Sequence, residues 1–366
     1  MVTCNQITSE QELLITMRKI SRRFLLGTGT ATAIVGLSQL GTAKKAFSQN
    51  QQINIYSSRH YNTDDELYSN FTNQTGIKIN LIEGKSDELI ERIKSEGANS
   101  PADILITVDA GRLWRAEQAG IFTPVDSQIL KDKIPANLRH PGNLWFGFTK
   151  RARVIMYNKD LVDPSELSTY EDLTNPKWQG KIAIRSSGNI YNQSLVAGLI
   201  EVLGEQATEA WCKGLVANFA RPPQGNDRAQ IEAAASGLAH IAIANTYYLP
   251  RYAKDEDPAK KAIFDKIGVF FPNQGDRGTH VNISGVGVTQ YAPNREGAIK
   301  FVEFLTTPIA QTFFAQGNNE YPVVPGTPID PVVGSFGQFK EDTTNVVAYG
   351  ANNAKAVQIM DRAGWK

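Results

Sequence analysis

The sequence is poor in the residues from which most metal and redox sites are built. Its 366 residues hold two cysteines, Cys4 and Cys212, and four histidines, His60, His140, His240 and His280. Two distant thiols cannot form a zinc ribbon, an iron–sulfur set or a disulfide scaffold, and four scattered imidazoles fall short of most poly-histidine sites. A charge of one sign is also missing. Lys and Arg number 38 against 37 Asp and Glu, so no basic surface advertises nucleic acid. The chain contains no Gly-x-Ser-x-Gly elbow and no His-Glu-x-x-His pair, which leaves no catalytic residue to name and no enzyme activity to expect. What remains is an ordinary globular composition, 41% hydrophobic and 20% charged. The length allows two domains at about 100–200 residues each.

The first 48 residues read as a signal for export rather than as part of the fold. Arg18, Lys19, Arg22 and Arg23 precede Phe24-Leu25-Leu26 and a mildly apolar run to Leu40. Ala46-Phe47-Ser48 offers small residues for a cut before Gln49. The Arg22-Arg23 pair resembles a twin-arginine signal, a route that exports folded proteins. Glycines and threonines dilute the run too far for a stable membrane anchor, and no later segment is long and apolar enough to span a bilayer. A soluble periplasmic protein is therefore expected. Cleavage would remove six basic and two acidic residues, leaving 32 against 35, a net charge of −3.

Beyond residue 48, short apolar runs alternate with helical periodicity. Strands are expected at 53–56, 77–82 and 104–108, separated by helices that begin near Thr63 and Ser86 and end at Gly76 and Gly97. This alternation predicts βαβ units with a mainly parallel sheet flanked by helices. Residues 150–157 then read as a strand crossing into a second region, with strands at 181–185 and 240–244 and helices at 195–203 and 228–236. Residues 279–290 read as a returning strand. The expected architecture is α/β with two lobes: 49–150 and 283–366 form one, 151–282 the other, and two crossing strands form the hinge. A cleft between the lobes suits a solute-binding protein, although two-domain enzymes share the pattern.

Three expected strand ends carry unusual side chains: Ser57-Ser58-Arg59-His60-Tyr61, Ser186 to Tyr191, and Asn245-Thr246-Tyr247-Tyr248. Ligands of open α/β sheets collect at such ends. A phenol has a pKa of about 10, so near neutrality it ionises only beside a strong Lewis acid. Ferric iron is one, and three or four tyrosinates would neutralise its charge, with an imidazole completing the shell. Two other readings remain open. A strand-end tyrosine commonly packs with its hydroxyl in water, and Tyr247-Tyr248 equally suits stacking on a sugar, a polyamine or thiamine.

Longer stretches carry a resemblance. Tyr-Ser-Ser-Arg-His-Tyr-Asn-Thr-Asp (56–64), Ser-Glu-Gly-Ala-Asn-Ser-Pro-Ala-Asp-Ile-Leu (95–105), Leu-Trp-Arg-Ala-Glu-Gln-Ala-Gly (113–120), Ile-Ala-Asn-Thr-Tyr-Tyr (243–248), Arg-Gly-Thr-His-Val-Asn (277–282) and Gly-Asn-Asn-Glu-Tyr-Pro-Val (317–323) resemble the periplasmic ferric-iron-binding proteins of cyanobacterial iron ABC importers. The resemblance covers essentially the whole chain after the signal. It implies Fe3+ as transported ligand, with Fe2+ as an alternative state, and His60, Tyr61, Tyr191, Tyr247 and Tyr248 as metal ligands. It also implies that Arg251 is a basic residue just outside them, and that five protein ligands leave little need for a carbonate. The implied partners are an ABC permease and its ATPase, with the receptor itself a monomer.

Overall fold

A computed structural model describes residues 51–59 and 64–366. The expected signal at 1–48, and the candidate ligands His60 and Tyr61, lie outside these residues. Among the described residues nine strands follow in order: β1 (Gln52–Ser57), β2 (Lys78–Glu83), β3 (Ile104–Val108), β4 (Phe146–Asn158), β5 (Ile182–Ala183), β6 (Ile241–Asn245), β7 (Ile267–Phe270), β8 (Val281–Val288) and β9 (Tyr321–Pro322). The helices that matter below are α1 (Asp64–Thr75), α2 (Ser86–Glu96), α3 (Ala110–Gln118), α4 (Ile190–Leu203), α5 (Glu205–Ala217), α6 (Asp227–Ala235), α7 (Arg295–Phe304), α8 (Pro308–Asn318) and α9 (Asn353–Arg362).

The strands line up as β2-β1-β3-β8-β4-β6-β5, with β7 and β9 also on β4. Pairs joined by a crossover helix are parallel: β1 with β2, β1 with β3, and β5 with β6. The two long strands β4 and β8 add antiparallel pairs. β4 is the join. Up to Ala152 it faces β8, and from Arg153 onward it faces β6 and β7. Thus β1, β2, β3, β8 and β9 lie to one side of this point, and β5, β6 and β7 to the other. The fold is the expected two-lobed α/β architecture.

Local chemistry explains the elements. α1 opens on Asp64, Asp65 and Glu66, where carboxylates favour the positive end of the helix dipole. It stops at Gly76, whose φ of 73° is easy only for glycine. Ser86 was expected to cap α2 but is its first residue, with Lys85 at the cap. The buried Ser86 hydroxyl instead accepts from Thr107 Oγ1 of β3 at 2.8 Å. The 181–185 strand shrinks to two residues because Asn189 caps α4, accepting from the Tyr191 N–H at 3.1 Å; the helix thereby begins five residues before the apolar run at 195 suggested. α4 is buried along almost its whole first three turns, so its apolar character runs around the cylinder and its amphipathic start is hard to see.

The core is continuous across the β4 join, from Ile53, Ile55 and Leu105 to Val154, Ile155, Ile241 and Ile243. At the C-terminus α9 packs on α4 and α5. Trp365 there donates to the Arg185 carbonyl at 2.9 Å and lies against Trp211 and Phe219. The tail of the 283–366 stretch therefore rests on helices of the 151–282 stretch. No described helix is long and apolar enough to cross a membrane.

Candidate metal centre

Three phenols converge from two elements. Tyr191 stands in the first turn of α4, where the Asn189 cap fixes its backbone. Tyr247 and Tyr248 occupy the single 3-10 turn that follows β6, immediately before Pro250 starts a short helix carrying Arg251. The Tyr247 hydroxyl donates to the Tyr191 hydroxyl at 3.3 Å. The rings of Tyr247 and Tyr248 lie 4.3 Å apart, tilted by 33°. All three line one cleft of about 230 Å³ together with Ser58, Arg59, Val108, Arg151, Arg228, Arg251 and Glu320. Tyr247 is buried, Tyr191 and Tyr248 partly so.

The electrostatics of this cleft are cationic. Arg251 holds its guanidinium 6.0 Å from the Tyr247 ring centre, and Arg153 and Arg185 stand 6.0 Å and 5.5 Å from that of Tyr191. Burial pushes the Tyr248 phenol well above its ordinary pKa, with Tyr191 and Asp227 adding to the shift and Tyr247 and Arg185 opposing it. A neutral phenol is thus the resting form of Tyr248 at neutral pH. Burial of Arg151 works against its charge, yet Glu320, Tyr247, Tyr191 and Asp109 together hold its pKa above the usual arginine value. Behind Tyr191, the buried Asp227 lies 3.5 Å from Arg153 and 4.0 Å from Arg185.

The side of the cleft nearest β1 is built differently. Arg59 is buried and spends its charge internally. Nε reaches Asp64 at 3.3 Å, while Nη1 reaches Glu320 at 3.0 Å and Ser284 Oγ at 2.9 Å. Ser284 in turn donates to Glu320 at 3.4 Å. Such a network supplies the buried Glu320 carboxylate with the counter-charge and hydrogen-bond donors that a lone buried carboxylate would lack.

The structure therefore brings Tyr191, Tyr247, Tyr248 and Arg251 together; His60 and Tyr61 fall outside the described residues. The other three histidines lie elsewhere. His140 accepts from the Gly142 N–H and sits 3.3 Å from Glu117. His240 precedes β6, and His280 is buried 4.6 Å from the Tyr349 ring, where burial pushes its pKa down to about 3. Cys212 is buried, its thiol pushed up to about 12 by burial, so it is inert. Sequence reasoning missed Arg151, Arg228 and Glu320. A signal was available for Arg151 and Arg153, which alternate on one face of a strand that is mostly buried.

Chemically, the arginines of this cleft repel an organic cation, and its one lining carboxylate, Glu320, is engaged by Arg59, short of the several carboxylates that calcium or magnesium would recruit. Among the described residues no group of His, Cys, Asp and Glu could hold a metal ion, so phenol oxygens are the donors available to one.

Comparison with known proteins gives a consistent result. The family model of the bacterial extracellular solute-binding protein matches residues 66–336. The chain is 61% identical to iron uptake protein A1 of Synechocystis over 96% of this chain and 100% of the relative, and 54% identical to iron uptake protein A2 over 95% and 99%. Among solved structures it superposes on the Trichodesmium IdiA (FutA) protein, determined in complex with iron and citrate ligands. That match has a TM-score of 0.85 and 65% identity, covering 86% of this chain and 100% of the other.

Proposed function

The chain belongs to the bacterial extracellular solute-binding protein family, and from that premise we propose that it is a periplasmic receptor that captures Fe3+ in the tyrosine-lined cleft. Its ligands are Tyr191, Tyr247 and Tyr248 from one lobe and His60 and Tyr61 from the other. The lobes comprise 49–150 with 283–366, and 151–282, the Asn353–Arg362 helix of the first resting on the second. The receptor makes and breaks no covalent bond in its ligand. It hands the ion to an ABC permease and its ATPase, acts as a monomer, and leaves the cytoplasm by the twin-arginine signal at 1–48.

The observation that carries this reading is the meeting of the Tyr191 and Tyr247 hydroxyls at 3.3 Å inside an arginine-lined cleft. Two phenols so close gain little from each other alone, but a trivalent ion between them displaces both protons and binds two phenolates. The ion's charge lowers the phenol pKa, as metal coordination does for bound water. Four tyrosinates exceed the charge of Fe3+ by one, and Arg251 beside Tyr247 offsets the surplus. Because donors come from both lobes, binding favours the closed form by its difference in affinity for the two states. The relatives support the choice of metal through what their names say they bind. An organic cation such as a polyamine or thiamine is the weaker reading, since the cleft presents Arg151, Arg228 and Arg251 to it.

The test is an absorption titration with ferric iron. A tyrosinate-to-iron charge-transfer band that saturates at one equivalent supports the proposal. Tight binding of a polyamine without colour, unaffected by Tyr247→Phe, overturns it.

A further inference from the structure

The segment that bears the tyrosine pair also carries a cation that leaves the site and reaches across the rim. Lys254 follows the Pro250–Ala253 helix, six residues after Tyr248. Its Nζ donates to Asp330 Oδ2 at 2.6 Å and to Asn319 Oδ1. Both acceptors flank β9, on the other side of the β4 join from β6 and its tyrosines. Asn319 is followed by Glu320, whose carboxylate holds Arg59.

These acceptors are fixed before the lysine arrives. Asn319 is 5% exposed and has a φ of 59°, the left-handed region that asparagine tolerates better than most residues. Asp330 is equally buried, and its other oxygen accepts from the Val332 N–H at 2.9 Å and the Val333 N–H at 3.3 Å. Lys254 itself is 40% exposed along its side chain, so it can leave into water. A mobile cation set between two rigid acceptors makes a releasable contact.

We propose that Lys254 is a clasp across the cleft: its ammonium holds the Tyr247–Arg251 segment against the Asn319–Asp330 segment and slows departure of the bound metal. The inference rests on the ferric reading of the cleft. Opening must break the bonds of Lys254, while closing gains them only after the donors have met. The clasp therefore acts mainly on the dissociation rate. Its described bonds go to Asn319 and Asp330 and to none of Tyr191, Tyr247 and Tyr248, so it leaves the chromophore unchanged. Its partial exposure makes it sensitive to salt.

The experiment loads the full chain with ferric iron and follows loss of the charge-transfer band on mixing with excess EDTA. Lys254→Met is expected to release iron about five- to tenfold faster, the lower range of ordinary coupling between linked states, with the band position unchanged. Asp330→Asn should act in the same direction, the double variant should be no faster than the faster single one, and Lys254→Arg should recover most of the slow release. Raising salt from about 50 to about 500 mM should speed release from the unsubstituted protein and not from Lys254→Met. Equal release rates for Lys254→Met and the unsubstituted protein, at unchanged melting temperature, overturn the clasp and leave the ferric site standing. Absence of any band from the unsubstituted protein overturns the ferric reading, and the clasp with it.

Discussion

The two sides of the cleft solve opposite electrostatic problems. On the β6 side, Tyr191, Tyr247 and Tyr248 are phenols set among Arg153, Arg185 and Arg251, with Asp227 facing the first two arginines. On the β1 side, Arg59 is balanced by Asp64 and Glu320 and bonded to Ser284. On the proposed ferric reading the first side is poised, its phenols becoming anionic when the ion takes their oxygens and their protons pass to solvent. The second is finished as far as its described charges go, Arg59 being balanced by Asp64 and Glu320; the donors proposed from that side, His60 and Tyr61, lie outside the described residues.

Substitutions can break this contrast, and the largest effect belongs to the poised side. Replacing Tyr191, Tyr247 and Tyr248 together by Phe should abolish ferric binding, read as loss of the charge-transfer band. Each single change should weaken binding beyond the roughly 10–100-fold that follows loss of an outer partner of a metal site. Packing survives because Phe keeps the ring, so melting should shift little.

The finished side should fail in the other currency. Glu320→Gln leaves Arg59 and Arg151 short of a buried counter-charge, and breaking such a pair costs about 3–5 kcal/mol. Denaturant unfolding should show that loss, while the position of the ferric band stays put. If Glu320→Gln instead removed the band and spared stability, the contrast between the sides would be wrong.

Between the two sides runs β8, preceded by the buried His280. Burial keeps its imidazole neutral down to about pH 3, whereas an unfolded chain takes up the proton near pH 6.5. The unfolded state therefore binds more protons as pH falls through this window, and stability falls with it. The slope is at most about 1.4 kcal/mol per pH unit, or about 2 kcal/mol between pH 6.5 and 5. His280→Phe should flatten that slope in urea titrations. The smallest effect expected is that of Arg251→Met, which removes a cation beside Tyr247 and should weaken ferric binding by about tenfold.

Much of this was legible in the sequence, and the gaps have physical causes. The strand at 104–108 appears at its expected limits, because a short run of four β-branched residues and one leucine, bounded by Asp103 and Asp109, admits little else. Tyr247 and Tyr248 stand where a strand-end reading puts them. Tyr191 was expected just past a strand end but lies in the first turn of a helix: the signal was the Asn189 cap, which a search for amphipathic periodicity overlooks in an all-round buried helix. The compensating wall was invisible. Arg59, Asp64, Ser284 and Glu320 are up to 261 residues apart, and no local pattern connects them. Donor chemistry is written in residue type, but its counter-charges are assembled by the fold.

The central claim is that neutral phenols in this cleft become phenolates when a trivalent ion binds. Titrating the protein at neutral pH with colourless Ga3+, while reading ultraviolet difference absorption, tests it without relying on iron colour. The account predicts that at least three phenols ionise by one equivalent and that the signal disappears in the triple Phe variant. Saturable Ga3+ binding with no phenolate signal would contradict it.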